Sequence, residues 1–313
     1  MPTLLDATAG AFRWLPGFPG KGRVALVIHR LLKRGASDAM NLRTVRMRDG
    51  SLLEWDLRDE SEARAFWLGT YDDALRDRLL GVVDPRGVLF DAGANVGAWT
   101  IPLARHVMRG GGRVVAFEPV PENVSRLKAA LARNAWNSVV DVEPIALGDR
   151  DQSAWLWLKR VSTGASTGTA ALLAVCEGDL RVPEVRLDSW IRAHALERLD
   201  FLKLDVEGAE LRVLAGAERT IAKFRPLVLA ELDEYWLSTH GQSHTDAARW
   251  AAARGYEPLY WCGGIQPGFR ARRSGRTLAT LFIPEERATT VRPALLPRPT
   301  LRFSAAAART GSA

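Results

Sequence analysis

The sequence predicts an α/β fold: a mostly parallel sheet covered by helices on both faces, preceded by a small β and helical addition. Three observations predict it. Short apolar runs at 88–92, 113–118, 139–143, 199–205, 226–232 and 255–261 recur with helical patterns between most of them, and strands separated by helices need the crossovers that give parallel order. A last apolar run at 278–283 has no helix before it and is expected to return antiparallel beside its predecessor. The run VLFDAGANVG, 88–97, ends in an acid and then a loop bearing two glycines, and AWTIPLARHV after it repeats apolar residues at helical spacing. Strand, glycine turn and helix in that order place a ligand loop at the carboxyl end of a buried strand.

Along the chain, residues 1–41 hold scattered glycine and proline and then VALVIHRLLKR, with apolar and basic residues on different helical faces. Such a helix is expected to cover the core, although one of this kind can also lie on an anionic membrane. LRTVRMRDGSLLEWDLRD reads as two strands around an Asp-Gly turn. Residues 1–65 therefore form an N-terminal extension with helix and β-hairpin, and 66–283 the main domain, whose core begins near Gly87. Within it, SAWLWLKR and VPEVRLDSWI flank a polar piece, VSTGASTGTA, which either forms a hairpin with a loop over the ligand cleft or is disordered. Residues 284–313 mix proline, arginine and an alanine run and are expected to be a flexible tail.

The 313 residues suit one large domain with an addition, and 47% hydrophobic with 25% charged content excludes wholesale disorder and a membrane class. No apolar run approaches the roughly twenty residues needed to cross a bilayer. The start lacks a basic segment ahead of its apolar residues, so a cytoplasmic location is expected. In that compartment Cys176 and Cys262 are two thiols and not a bridge, and they supply no metal cluster. The charge of +7, from 43 basic and 36 acidic side chains, is spread out, with part of the excess at HRLLKR and FRARRSGR. A diffuse excess reads as a solvated surface and argues against a nucleic-acid partner.

Gly93 and Gly97 lack a β-carbon, so a ligand can approach the main chain there. Asn95 between them shapes the pocket or serves only as a left-handed turn residue. About twenty residues further on, VVAFEP puts Glu118 at the end of a second strand, where a carboxylate can accept both ribose hydroxyls of an adenosine. Dinucleotide sites share this arrangement, but GANVG lacks the third glycine that lets a helix N-terminus approach a pyrophosphate. A nucleoside without phosphates fits better.

Four segments resemble the FkbM-type methyltransferases: LFDAGANVGAWT, VVAFEPVPEN, ALGD and FLKLDVEGAE, together spanning most of residues 66–262, with KLDVEGAE the most specific. The resemblance implies a Rossmann-like class I methyltransferase fold, with a seven-stranded sheet whose last strand is antiparallel. It also implies S-adenosylmethionine as cofactor and methyl transfer to a hydroxyl of a small metabolite, sugar or glycan. By the same resemblance, the backbone of Ala146 and Leu147 takes the adenine edge. Tyr71, expected with Asp205 to contact the cofactor, precedes the first core strand where the family more often reads Tyr-Glu, and here Asp72 follows it. Asp91 is expected to approach the methionine portion, directly or through water.

Methyl transfer from a sulfonium needs the acceptor oxygen in line with the methyl carbon, and an alcohol must lose its proton, so a base is sought at the carboxyl end of the sheet. Strand alternation puts Lys203, Asp205 and Glu207 on one face. Lys203 is expected to neutralise Asp205 or Glu231 beneath the site. Asp205 and Glu207 are candidates for direct catalytic or metal-binding work, and Glu207 can alternatively cap the helix opening at Gly208. Glu231 and Asp233 end the next strand and, with Asp205, could hold a Mg²⁺ ion, or could bind substrate hydroxyls or arginines instead. His240 and His244 follow in STHGQSHTD; His240 is the preferred base and His106 is structural. Trp155 and Trp157, two apart on a strand, could line an apolar or sugar-stacking pocket. A nucleic-acid methyltransferase and a non-catalytic cofactor-binding scaffold are the competing readings.

Overall fold

A computed structural model describes residues 3–32, 41–161, 164–172, 178–262, 268–270 and 278–296. The chain opens with α1 (Leu4–Trp14), where Thr3 and Asp6 form a reciprocal capping box, and α2 (Lys21–Leu32). The predicted hairpin follows as β1 (Leu42–Arg46) and β2 (Leu52–Asp56), paired antiparallel. Next come α3 (Glu60–Leu68) and α4 (Asp73–Leu80). Asp59 starts α3 by accepting from the Ser61 and Glu62 N–H groups at 2.8 and 3.1 Å. Asp59→Ala is expected to cost about 1 kcal/mol, read as a lower urea midpoint at unchanged slope.

The core then alternates β3 (Val88–Ala92), α5 (Thr100–Val107), β4 (Arg113–Phe117), α6 (Pro121–Asn134) and β5 (Val140–Glu143). The insert follows as β6 (Ala146–Gly148), β7 (Gln152–Val161), β8 (Gly164–Leu172), β9 (Leu180–Arg186) and α7 (Leu187–Ala193). The chain returns through β10 (Phe201–Leu204), α8 (Glu210–Ala215), α9 (Glu218–Phe224), β11 (Leu227–Leu232), α10 (Glu234–Thr239) and α11 (His244–Ala253). It closes with β12 (Tyr256–Cys262), β13 (Gly268–Arg270), β14 (Leu278–Pro284) and α12 (Glu285–Leu295).

Among the described residues the main sheet runs β13-β12-β14-β11-β10-β3-β4-β5. All seven predicted core strands are present within about two residues of their expected ends, and β13 adds a short edge strand. Strand β14 is antiparallel to both neighbours, and it sits between β11 and β12 as well as beside its predecessor. The order reverses between β3 and β10: the chain moves outward through β4 and β5, then restarts on the other side of β3. Ligands bind at such a switch point, outside the carboxyl ends of the strands.

Alternation along the buried strands separates two apolar cores. Leu89, Phe201, Leu227 and Leu229 join α5, α6 and the N-terminal elements on one face. Phe90, Leu202, Val228 and Ala230 join α7, α8, α9 and α11 on the other. The hairpin and α3 are tied to α6 by polar contacts. Asn134 accepts from the Leu52 N–H at 2.9 Å and donates to the Leu52 carbonyl at 2.8 Å, and Arg126 donates to the Glu54 carbonyl at 2.9 Å and pairs with Glu62 of α3 at 2.6 Å.

Two expectations change. The tail is not loose from residue 284, because α12 buries Val291 and Leu295 against the core and Arg78 donates to the Leu295 carbonyl; residues 297–313 lie outside the described residues. The insert is a separate sheet, ordered β6-β9-β7-β8, while the loop residues 162–163 and 173–177 are not described. Cys176 is likewise outside, and Cys262 carries a free thiol. Among the described residues no helix is long and apolar enough to cross a membrane.

Candidate active site

The strand period that separates the two cores also gathers the charged residues. Asp91, Lys203, Asp205 and Glu231 occupy the parity that faces the N-terminal elements, and the register sets Lys203 opposite Asp91 on the adjacent strand. Lys203 is 3% exposed and its ammonium lies 3.1 Å from Asp205 and 3.4 Å from Asp91. Burial alone would lower its pKa, but the carboxylates of Asp205, Asp91 and Glu231 outweigh burial and raise it, so the ammonium keeps its charge. Its cation also lies over the Trp99 ring at 5.8 Å.

Glu231 ends up beside this group and shares the Lys203 cation with Asp205 and Asp91. The Asp205 carboxylate, followed by desolvation, raises its pKa above the ordinary carboxylate range. Tyr71 packs by its ring on Trp55, with centroids 6.0 Å apart. Burial and the Asp205 charge raise its phenol well above the ordinary value. Asp72, raised mainly by burial, accepts from the Trp99 indole, so the shorter acid after Tyr71 bonds to the site's own wall.

At the other end of the cleft Glu118 is 4% exposed and accepts three hydrogen bonds. The Asn95 N–H meets Oε2 at 2.8 Å, and the Val120 N–H and Asn123 Nδ2 meet Oε1 at 2.9 and 3.2 Å. Burial outweighs these bonds and pushes the carboxyl up to about 7. A carboxylate has about four acceptor sites, so one remains for a ligand beyond the three in use, and the Asn95 bond can be shared.

The loop after β3 bends at Gly93 and Asn95, both with positive φ. A β-carbon on Gly93 would overlap the Asp205 carbonyl oxygen, so glycine here lets the two strand ends of the switch point touch. At Gly97 a β-carbon would come within 2.7 Å of Leu127, so that glycine serves the packing of the loop on α6. A similar turn after β10 has Glu207 at φ 51°. It is closed by Glu210, whose Oε1 accepts from the Val206 and Gly208 N–H groups at 3.1 and 3.2 Å.

One cleft of about 1130 Å³, measured out to its open mouth, joins these parts. Tyr71, Gly93, Asn95, Glu118, Ala146, Leu147, Asp205 and Glu207 line it, together with Lys203 and Glu231. Most of the residues singled out from the sequence thus converge. Asp91 does not reach the wall: it is fully buried beneath the floor, accepting from Thr100 Oγ1 at 2.7 Å and paired with Lys203. Its strand places it one layer below the loop, so it steers Lys203.

His240, the histidine preferred as base, is not among the lining residues. It ends α10, and burial, then the Arg212 charge, lowers its pKa. His244 is held by Glu234 and the Leu232 carbonyl, and His106 by the Val83 carbonyl. Asp233 is occupied as the N-cap of α10, accepting from the Tyr235 and Trp236 N–H groups. Among the described residues no three acid, histidine or cysteine side chains are placed to hold an ion, so the Mg²⁺ reading finds no support. Trp155 and Trp157 sit on the wrong strand parity for the cleft: Leu156 between them lines it, and Trp157 instead meets Trp236 at 6.2 Å.

The sequence reading missed Glu210, Trp99, Asn123 and Ser61. Glu210 stands inside KLDVEGAE, but its task appears only once the backbone N–H groups of the turn need an acceptor. Asn123 sits five residues after Glu118 at the start of α6, a spacing that could have suggested its role.

Comparisons with known proteins bear on what this cleft does. The chain is 30% identical to the AMB antimetabolite synthetase AmbE of Pseudomonas aeruginosa, over 52% of this chain and 9% of that protein. It is 26% identical to the 2-O-methyltransferase NoeI of Sinorhizobium fredii, over 45% of this chain and 61% of that protein. It thus spans less than two thirds of either curated relative. Among solved structures, methyltransferase FkbM from Methylobacillus flagellatus overlays with a TM-score of 0.40 at 19% identity, over 72% of this chain and 55% of that one. The family described as the methyltransferase FkbM domain matches residues 91–258. That stretch is more than half of the chain and carries both strand ends of the cleft, and the protein belongs to this family of methyltransferases.

Proposed function

We propose that the protein moves a methyl group from S-adenosylmethionine to a hydroxyl oxygen of a small metabolite, sugar or glycan, and that it works in the cytoplasm. The observation that carries this reading is a single cleft at the sheet's switch point with a hydroxyl acceptor, Glu118, at one end and the Lys203, Asp205 and Glu231 cluster at the other. The cofactor fits what is present. Glu118 has room for a ribose hydroxyl, Ala146 and Leu147 offer backbone and apolar surface to an adenine, and the left-handed turn at Gly93 and Asn95 leaves the wall open. When bound, the cofactor supplies a methyl carbon on a sulfonium.

The chain's residues do the rest. Asp205, steered by Lys203, accepts the proton of the acceptor hydroxyl, and protonated Glu231 donates to hold the acceptor in place. As the acceptor oxygen takes the methyl group, its hydroxyl proton would pass to Asp205. Glu207 and Tyr71 border the acceptor.

The test is to incubate purified protein with methyl-labelled S-adenosylmethionine and a panel of hydroxylated metabolites and glycans, then identify labelled products by mass spectrometry. A labelled methyl ether is expected. No binding of the cofactor or its demethylated product by calorimetry, with no labelled product, would remove the reading. His240→Ala is expected to keep kcat within about threefold, against the hundredfold or greater loss that follows removal of a base.

A further inference from the structure

The large apolar side chains left in solvent are concentrated at the amino end. Trp14, Leu15, Phe18, Val24, Val27 and Leu31 are all exposed, Trp14 by 90%. The sequence explains part of this. In α2, VALVIHRLL is apolar nearly all round, and only one side finds the core, with Ala25 and His29 buried and His29 Nε2 at 3.0 Å from the Leu57 carbonyl. Val24, Val27 and Leu31 face away from it. A helix apolar on both sides is built for a second apolar neighbour.

The turn between α1 and α2 extends this surface. Every residue from 14 to 20 is exposed, so the turn projects, and Trp14, Leu15 and Phe18 stand on it among two prolines. It is braced from below. Lys21 Nζ donates to the Leu15 carbonyl at 2.6 Å, Arg48 to the Arg13 carbonyl at 3.1 Å, and Arg13 to the Phe66 carbonyl at 2.6 Å. The tip is therefore held as a fixed apolar projection.

Cations predominate around it, although Arg30 is paired with exposed Glu60 of α3 at 3.2 Å. Between Asp6 and Asp38 the sequence holds Arg13, Lys21, Arg23, Arg30, Lys33 and Arg34 and no acid. Arg23 and Arg30 flank the Val24, Val27 and Leu31 stripe on α2 and are exposed. An apolar, aromatic tip edged by the exposed Arg23 and Arg48, with Arg30 beside it, complements one surface above others, a layer of anionic headgroups over hydrocarbon. A second copy of the chain fits poorly, because an isologous contact would set one cationic edge against another.

We propose that the α1–α2 tip seats this protein on anionic lipid bilayers, with Trp14, Leu15 and Phe18 in the interfacial layer and Arg23, Arg30 and Arg48 against headgroup phosphates. The attachment is peripheral and reversible, since a few side chains enter and, among the described residues, no helix is long and apolar enough to cross.

The test is co-sedimentation of the full chain with extruded vesicles, either phosphatidylcholine alone or phosphatidylcholine mixed with phosphatidylglycerol. The protein is expected to pellet with the anionic vesicles and to be released as salt rises. Trp14→Glu/Phe18→Glu and Arg23→Glu/Arg30→Glu are each expected to lower the partition constant about tenfold or more. Both pairs face solvent, and the exposed Arg30–Glu60 pair that the second variant breaks is worth less than about 1 kcal/mol, so unfolding midpoints should stay close to native and methyl transfer to a soluble acceptor should be unchanged, which shows that the variants are folded. Protein left in the supernatant with both vesicle types would overturn the proposal. So would equal binding to neutral vesicles that the arginine pair does not change, or a dimer in light scattering that Trp14→Glu/Phe18→Glu dissociates.

Discussion

Asp205→Asn is expected to lower kcat by about a hundredfold to ten-thousandfold, the range seen when a positioned base is removed, with cofactor affinity changed by less than about tenfold. The asymmetry follows from where the group sits. Asp205 lies one residue beyond β10, 3.1 Å from Lys203 and on the cleft wall, so its loss takes away the proton acceptor without disturbing Glu118. The substitution also removes the charge that contributes most to holding Glu231 protonated. Glu231 should then ionise at lower pH, and the remaining activity of Asp205→Asn should rise with pH as Glu231 becomes a substitute base.

Glu231→Gln gives the complementary result. Glutamine resembles the protonated acid, so kcat at pH 7 should stay within about tenfold of native. The native rate should decline at alkaline pH, where Glu231 loses its proton, and the glutamine variant should lack that decline. The stability sign is the same. A carboxyl raised above 4.5 contributes stability in full below pH 4.5 and loses it as pH rises through the raised value. Glu231→Gln should therefore be relatively more stable than native at alkaline pH. Equal pH–rate profiles for native and Glu231→Gln, or full activity in Asp205→Asn, would remove this pair from the chemistry.

How far such roles can be read from residues alone depends on the period involved. The core strands were legible because burial on both faces leaves short apolar runs bounded by glycine, proline and acids, and Asp91, Glu118 and Asp205 mark three strand ends directly. Depth was not legible. Asp91 and Gly93 are two residues apart, yet one is below the floor and the other on the wall, because the chain turns sharply between them. Side-chain parity in the insert was equally hidden: Trp155 and Trp157 drew attention by size, while Leu156 reaches the cleft. His240 looked like a base because it follows a strand end, but the short helix α10 carries it away. For α12, Ala288, Val291 and Leu295 recur at helical spacing, a signal masked by Pro293 within the helix and the proline-rich sequence after it.

Glu118→Ala is expected to weaken S-adenosylmethionine binding by about a hundredfold or more, since a hydrogen bond to a charged group is worth about 1.5–3 kcal/mol and the change removes the ribose contacts together with the loop's anchor. Asn95 and Val120 lose the acceptor of their N–H groups, and Asn123 loses its partner, so the loop that shapes the wall loosens as well. Acidity adds a second, independent signature. In the empty protein burial pushes Glu118 up from 4.5 to about 7, so its contribution to stability is full below pH 4.5 and is lost as pH rises through about 7. Ionisation of the empty site thus costs about 3 kcal/mol, and a ribose hydroxyl donating to the carboxylate offsets part of that cost. Binding should then release protons near neutral pH and tighten between pH 6 and about 8, measurable by calorimetry in buffers of different ionisation enthalpy. Glu118→Gln, which cannot ionise, should bind weakly with no proton release from this group. Unchanged affinity in Glu118→Ala, or undiminished proton release in Glu118→Gln, would place the ribose elsewhere in the cleft.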